Sequence, residues 1–268
     1  MLETRFIDVH GIRTRYAEMG SGPCLTLLHG FPETLQGWRK NVPELSRRFR
    51  VIAPDMVGFG QTDRAEWDYS CRGMARFVHL FLEALGVSKT HLVGTDTGAS
   101  IALAFAAEYP KTLDRLTVLS GSPYPHSISA PEVNLMTLPV IGDLGFFLFG
   151  GLLLPLSVRL AFRDPLKLEK ESLTEYASHL KTARSKTLAL RLMREANNGM
   201  DGVMKKLRAS PPPTLILWSE HERYFRPWVP DRLHKDLAGS RLERVADAGH
   251  FFQEERPDEF NRLVSDFL

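Results

Sequence analysis

Residues His91–Ser100 read HLVGTDTGAS, and the five in the middle, Gly94-Thr95-Asp96-Thr97-Gly98, frame one carboxylate between two glycines. An apolar run precedes the frame and small residues follow it. That is the pattern of a strand turning sharply into a helix and projecting its central side chain into a cleft. Glycine neighbours let the chain turn so tightly. The N–H groups that open the helix carry partial positive charge and favour an anion at the turn. An Asp there is an anion at neutral pH and can attack saturated carbon without a base. Attack leaves an alkyl ester of Asp96, which water must cleave at its carbonyl carbon. The second step needs a base for the water and N–H donors for the developing oxyanion. No Gly-x-Ser-x-Gly occurs in the chain, so an ordinary serine esterase is not expected.

Bulk composition limits what can hold such a turn. A chain of 268 residues, 43% hydrophobic and 25% charged, fits one α/β domain with a modest insertion. Its net charge of +2 is too small to mark a nucleic-acid binder. Arg47-Arg48 and Lys205-Lys206 read as solvated helix faces. Cys24 and Cys71 read as two reduced thiols, since Cys24 opens an apolar run. His29, His91, His221 and His250 lack metal-ligand spacing, and Gly58-Phe59-Gly60 has no third glycine, so no metal, nucleotide or other cofactor is expected. The opening residues, MLETRFIDVHG, lack a signal-peptide pattern. The most apolar tract, Leu144–Val158, spans about 15 residues and holds three Gly and a Pro, short of the ~20 that a spanning helix needs. A cytoplasmic protein without a membrane span is expected, a monomer or homodimer, with contact between the tract and a membrane left open.

Along the chain, Arg5–Val9 and Ile12–Met19 form an expected antiparallel pair. Cys24–Leu28 is a short continuous apolar run that reads as a strand covered on both faces, and Arg50–Ala53, Thr90–Val93, Leu116–Leu119, Thr214–Trp218 and Leu242–Val245 read as further strands. Helical spacing covers Trp38–Phe49, Ser70–Leu85 and Ala99–Glu108. Strand and helix alternate, which predicts a mostly parallel twisted sheet with helices on both faces. The alternation breaks between Pro123 and Arg208. The expectation is a core domain of residues 1–122 and 209–268, with a helical cap, 123–208, inserted over the carboxyl ends of the strands, where ligands bind such sheets.

Five stretches in one order carry a family resemblance: His29-Gly30-Phe31-Pro32-Glu33-Thr34, Pro54 to Gly60 (PDMVGFG), the Asp96 turn, Trp218-Ser219-Glu220-His221-Glu222, and Ala248-Gly249-His250 with Gln253 to Pro257. The chain resembles the α/β-hydrolase fold family, in the branch whose nucleophile is Asp: epoxide hydrolases, haloalkane dehalogenases and haloacetate dehalogenases. The resemblance implies Asp96 as nucleophile and His250 as base. It implies an acid after the strand at Thr214–Trp218 to orient His250. Glu222 stands where the family usually has Asp, and Glu220 and Asp247 are weaker choices. The oxyanion donors would be the backbone N–H groups of Phe31 and Thr97. His29 and Pro32 would shape the loop that aims the Phe31 N–H, while Asp55, Gly58 and Gly60 form turns.

The leaving group separates the subfamilies. Haloalkane dehalogenases carry Trp directly after the nucleophile and haloacetate dehalogenases carry Arg; here Thr97 follows, and the cap contains no Trp. Expelling halide into an apolar pocket without N–H donors is costly. Epoxide hydrolases resemble one another in cap tyrosines that donate to the epoxide oxygen. Tyr176 and Tyr124 are the expected donors, with His126 and His179 behind them, and Phe146 and Phe147 are expected to line an apolar substrate pocket. The reading is an epoxide hydrolase that takes a small apolar epoxide and water to a diol. The alternatives are a haloalkane or haloacid dehalogenase, and a non-catalytic ligand-binding protein on the same scaffold.

Overall fold

Runs with little polar interruption fill the middle of one sheet. The computed structural model describes residues 1–178 and 180–268, and His179 lies outside them. The strands are β1 (Arg5–Val9), β2 (Ile12–Met19), β3 (Cys24–Leu28), β4 (Arg50–Pro54), β5 (Thr90–Thr95), β6 (Leu113–Leu119), β7 (Thr214–Ser219) and β8 (Arg241–Val245). Their order is β1-β2-β4-β3-β5-β6-β7-β8. β2 pairs antiparallel with β1 and β4, and the other neighbours are parallel. Every residue of β7 is buried, as a strand covered on both faces requires.

Helices make the two covers. On one side α2 (Cys71–Ala84) and α3 (Thr97–Glu108) bring Met74, Phe77, Phe81 and Phe105 onto the sheet. On the other, Trp38 and the last helix, Pro257–Phe267, pack Phe260 and Val264 against β3, β4 and β7. α2 starts where its sequence predicts, because the Ser70 hydroxyl accepts the Gly73 N–H at 3.1 Å. The helix expected over Trp38–Phe49 does not form as one element. A 3₁₀ turn, Leu35–Trp38, and a single α-turn, α1 (Val42–Leu45), replace it. Pro43 has no N–H to bond backward, so it suits a helix start and bars a helix running through it.

Between β6 and β7 the chain forms α4 (Pro131–Thr137), α5 (Ile141–Ala161), α6 (Lys170–Ser178), α7 (Ala183–Glu195) and α8 (Met200–Ala209). After β7 come α9 (Val229–Asp236), α10 (Phe252–Glu255) and α11, the Pro257–Phe267 helix. α8 packs back on α3, while α4, α5 and α7 pack on one another. α5 corrects the reading of its tract as too short. Ile141, Gly142 and Asp143 extend it at one end and Arg159, Leu160 and Ala161 at the other, giving 21 residues, long and apolar enough by length and composition to cross a membrane. Only 33% of its most apolar window is buried in the protein. Pro155 is tolerated inside it although one backbone bond is lost there.

Candidate active site

Asp96 stands at the junction of β5 and α3, with φ 52° and ψ −120°, a backbone conformation that side-chain-bearing residues rarely adopt. Holding it there costs ~1–3 kcal/mol, which the packed turn must supply. The framing glycines permit that packing. A Cβ on Gly94 would sit 2.2 Å from the Gly98 carbonyl oxygen, and one on Gly98 would sit 2.4 Å from that of Leu28. The Asp96 carboxylate is oriented from both ends. Oδ1 accepts the Thr97 N–H in a short hydrogen bond and the Thr97 hydroxyl at 2.7 Å. Oδ2 faces His250 Nε2 across 3.5 Å, longer than a close hydrogen bond.

His250 lies in the loop between β8 and α10, 1% exposed, its backbone N–H bound to the Ala161 carbonyl at the end of α5. Glu222, in the loop after β7, holds Nδ1 at 2.9 and 3.0 Å from its two oxygens. That contact keeps a proton on Nδ1 and turns Nε2 toward Asp96; Nε2 has no hydrogen-bond partner among the described residues. Glu222 itself accepts the Tyr224 N–H at 2.8 Å. Burial alone would lower the His250 pKa, but Glu222 on one side and Asp96 on the other raise it to about 10. Burial would likewise raise Glu222, and the neighbouring His250 holds it below its ordinary range instead. Glu220 and Asp247 are exposed on the surface.

The loop opposite is braced from within. His29 accepts the Met56 N–H at Nε2 (3.0 Å) and binds the Gly30 carbonyl through Nδ1 (2.9 Å), which fixes a neutral tautomer. Glu33 accepts the Gly30 N–H at 3.1 Å and the Gln253 amide at 2.8 Å. Burial, with Glu254 close by, pushes the Glu33 carboxyl up to about 8. Asp55 ties the same region to Arg15 (2.5 Å) and the Leu35 N–H (2.8 Å). Phe31 and Thr97 both line the cavity that Asp96 opens into. This cavity, about 800 Å³ including its mouth, is walled by Ile128, Met136, Leu154, Met193 and Phe225.

Five of the residues expected there are elsewhere. Tyr176 is fully buried and donates a short hydrogen bond to Glu254, so its hydroxyl is spent inside the protein. The Tyr124 hydroxyl donates to Asp236 Oδ2 at 2.9 Å, and neither residue lines the cavity. Phe146 is buried in the packing of α5 against Met136, Leu180 and Leu190. Phe147 points outward, 37% exposed, beneath the Lys186 ammonium. His126 is exposed beside the groove outside the cavity mouth.

Tyr224 is the residue that sequence reasoning missed. It lines the cavity with Asp96, and its ring meets His250 edge to face at 4.7 Å. Its hydroxyl lies 3.0 Å from Ser157 Oγ of α5, which donates to Glu132 at 3.1 Å, and Glu132 is paired with Arg223 at 2.6 Å. Burial pushes the Tyr224 hydroxyl pKa upward, so it keeps its proton through the neutral range. The available signal was position: a Tyr two residues beyond Glu222, in a loop already required to reach the cleft.

The family model for the alpha/beta hydrolase fold matches residues 23–140. The chain is 31% identical to epoxide hydrolase 3 of Xenopus tropicalis, over 96% of its own length and 75% of that protein. The chain belongs to the α/β-hydrolase fold family. Among solved structures, the epoxide hydrolase CorEH matches this α/β-hydrolase with TM-score 0.85 at 24% identity, over 100% of this chain and 98% of that one. Haloalkane dehalogenase DbeA from Bradyrhizobium elkani matches with TM-score 0.86 at 21% identity, over 99% and 97%. At those identities both matches speak for the fold alone.

Proposed function

We propose that this α/β-hydrolase opens small apolar epoxides to diols through an alkyl ester on Asp96, with residues 123–208 acting as the cap of the site. The observation that carries the reading is the arrangement at the carboxylate: Oδ1 held by Thr97, Oδ2 facing His250, and His250 held by Glu222. The identity to an epoxide hydrolase supports it.

The reaction balances with this chain's own groups. Asp96 Oδ2 attacks a ring carbon, and the C–O bond of the epoxide breaks toward an alkoxide. Tyr224 gives its proton to that oxygen, while the Ser157 hydroxyl turns from Glu132 to the phenolate. His250, protonated at rest with a pKa of about 10, returns a proton to Tyr224 and becomes neutral. Esterification also removes the Asp96 charge that helped hold that proton. Neutral His250 then takes a proton from water, whose oxygen adds to the ester carbonyl. The oxyanion forms on Oδ1, where the Thr97 N–H already points and the Phe31 N–H completes the donor pair. Losing one such donor costs ~2.7–4 kcal/mol of barrier. On collapse the Oδ2 alkoxide leaves and takes the proton of the added hydroxyl, which releases the diol and regenerates the Asp96 anion beside protonated His250.

A strained ring needs one proton donor at the leaving oxygen, and Tyr224 meets that need. Halide needs N–H donors, and among the described residues no tryptophan lines the cavity. We expect a panel of small epoxides to give diols while chlorinated and brominated alkanes release no halide. Rapid halide release with inert epoxides would replace this reading with the dehalogenase one. In His250→Gln the first step proceeds and the second stalls, so intact-protein mass spectra should gain the mass of one epoxide.

A further inference from the structure

The outward side of α5 is an apolar face that nothing among the described residues covers. Ile141, Leu144, Leu148, Phe149, Leu152 and Leu156 are each more than half exposed, Leu152 at 72%. Leu135 of α4, 54% exposed, belongs to the helix packed beside it. The inner side of the same helix is packed, with Phe146, Gly150, Leu154 and Ser157 buried, so α5 is a docked helix with one bare side. Contiguous apolar surface of this extent marks an interaction site.

Charge selects the partner. The only acid in α5, Asp143, is paired with Arg194 at 2.9 Å. The only base, Arg159, is exposed toward the C-terminal end, and Arg163 is exposed just beyond it. The Lys186 ammonium borders the face, binding the Phe147 carbonyl at 3.0 Å. Asp164 turns its carboxylate back onto the Leu166 N–H at 3.0 Å. On α5 these cations meet no unpaired acid, so the face as a whole complements an anionic surface. A bilayer meets the apolar side chains with its acyl region and the long cationic ones with anionic headgroups.

We propose that the outer face of α5 docks this protein on a membrane surface bearing anionic lipids, lying in the surface rather than spanning it. The cavity is continuous with a groove at the N-terminal end of α5, the end away from Arg159. Ile128, Met193 and Asn197 line both the cavity and an outer groove that reaches Thr137 and Pro139, just before α5. An apolar substrate dissolved in lipid would therefore be presented beside the mouth. The inference does not depend on the chemistry at Asp96.

Cosedimentation of the full chain with phosphatidylcholine vesicles, with and without phosphatidylglycerol, tests it. Wild type should pellet with the anionic vesicles and be released by salt. The Leu148→Glu, Leu152→Glu double variant, changed only at exposed positions, should bind at least about 30-fold more weakly. Its circular dichroism and its activity on a water-soluble substrate should match wild type, which separates lost docking from lost folding. Absence of vesicle binding by wild type would overturn the proposal, as would equal binding to the neutral vesicles. A dimer in light scattering that the double variant dissolves, without vesicle binding, would assign the face to a second copy instead.

Discussion

Replacing Tyr224 with Phe removes one oxygen from the reacting centre and leaves the ring against His250. The structural cost is small. The hydroxyl shares one buried hydrogen bond with Ser157 at 3.0 Å, and Ser157 keeps its bond to Glu132 at 3.1 Å. Stability should therefore fall by only ~1 kcal/mol. The kinetic cost is that of a lost general acid, a factor of ~10²–10⁴, or ~2.7–5.4 kcal/mol of barrier. It falls on ring opening alone, because ester hydrolysis uses His250 and the oxyanion donors. Single-turnover quench-flow on Tyr224→Phe should show slow ester formation and no accumulated ester. Epoxides whose opened alkoxide is better stabilised should lose less rate than the others. A variant with single-turnover rates within about threefold of wild type across the series would refute the assignment of this proton to Tyr224.

Tyr176→Phe should behave in the opposite way: kcat within about twofold of wild type, but stability lowered by ~1–3 kcal/mol in urea, because Glu254 loses a buried donor. Glu222→Gln should slow turnover about 10⁴-fold and stall the reaction at the ester, read by quenched-reaction mass spectrometry, because His250 loses the group that raises its pKa and fixes its tautomer. His250 also makes stability pH-dependent. Its folded pKa, about 10, lies above its ordinary value of 6.5, so its contribution is full below pH 6.5 and is lost as pH rises through about 10. Wild type should lose more stability than His250→Gln between pH 7 and above pH 10 in urea titrations at matched ionic strength.

The central strands were readable because runs such as β3 and β7 are short, apolar and followed by turn signals, and β5 with its Asp96 turn announced itself by two glycines. The three residues brought together at the cleft were readable for a related reason: each follows a strand end, and strand ends share one edge of a parallel sheet. What failed depends on directions that no local pattern encodes. Tyr176 sits on a helix, and only the packing of that helix on Glu254 and the Gly37 turn decides that its hydroxyl faces inward. Phe146 and Phe147 belong to a helix whose apolar residues run all the way round, so its sequence does not say which side meets the protein. Tyr224 escaped because donors were sought in the inserted helices alone, although its loop had already supplied Glu222. The Trp38–Phe49 reading weighed apolar spacing above Pro43, and the proline prevailed.

A single turnover in ¹⁸O-labelled water, followed by peptide mass spectrometry across Asp96, tests the covalent step itself. Water that cleaves an Asp96 ester at its carbonyl carbon leaves one ¹⁸O atom in the Asp96 carboxylate and none in the first diol released. Label found in that diol, with Asp96 unlabelled, would mean that water attacks the substrate directly and that no ester forms.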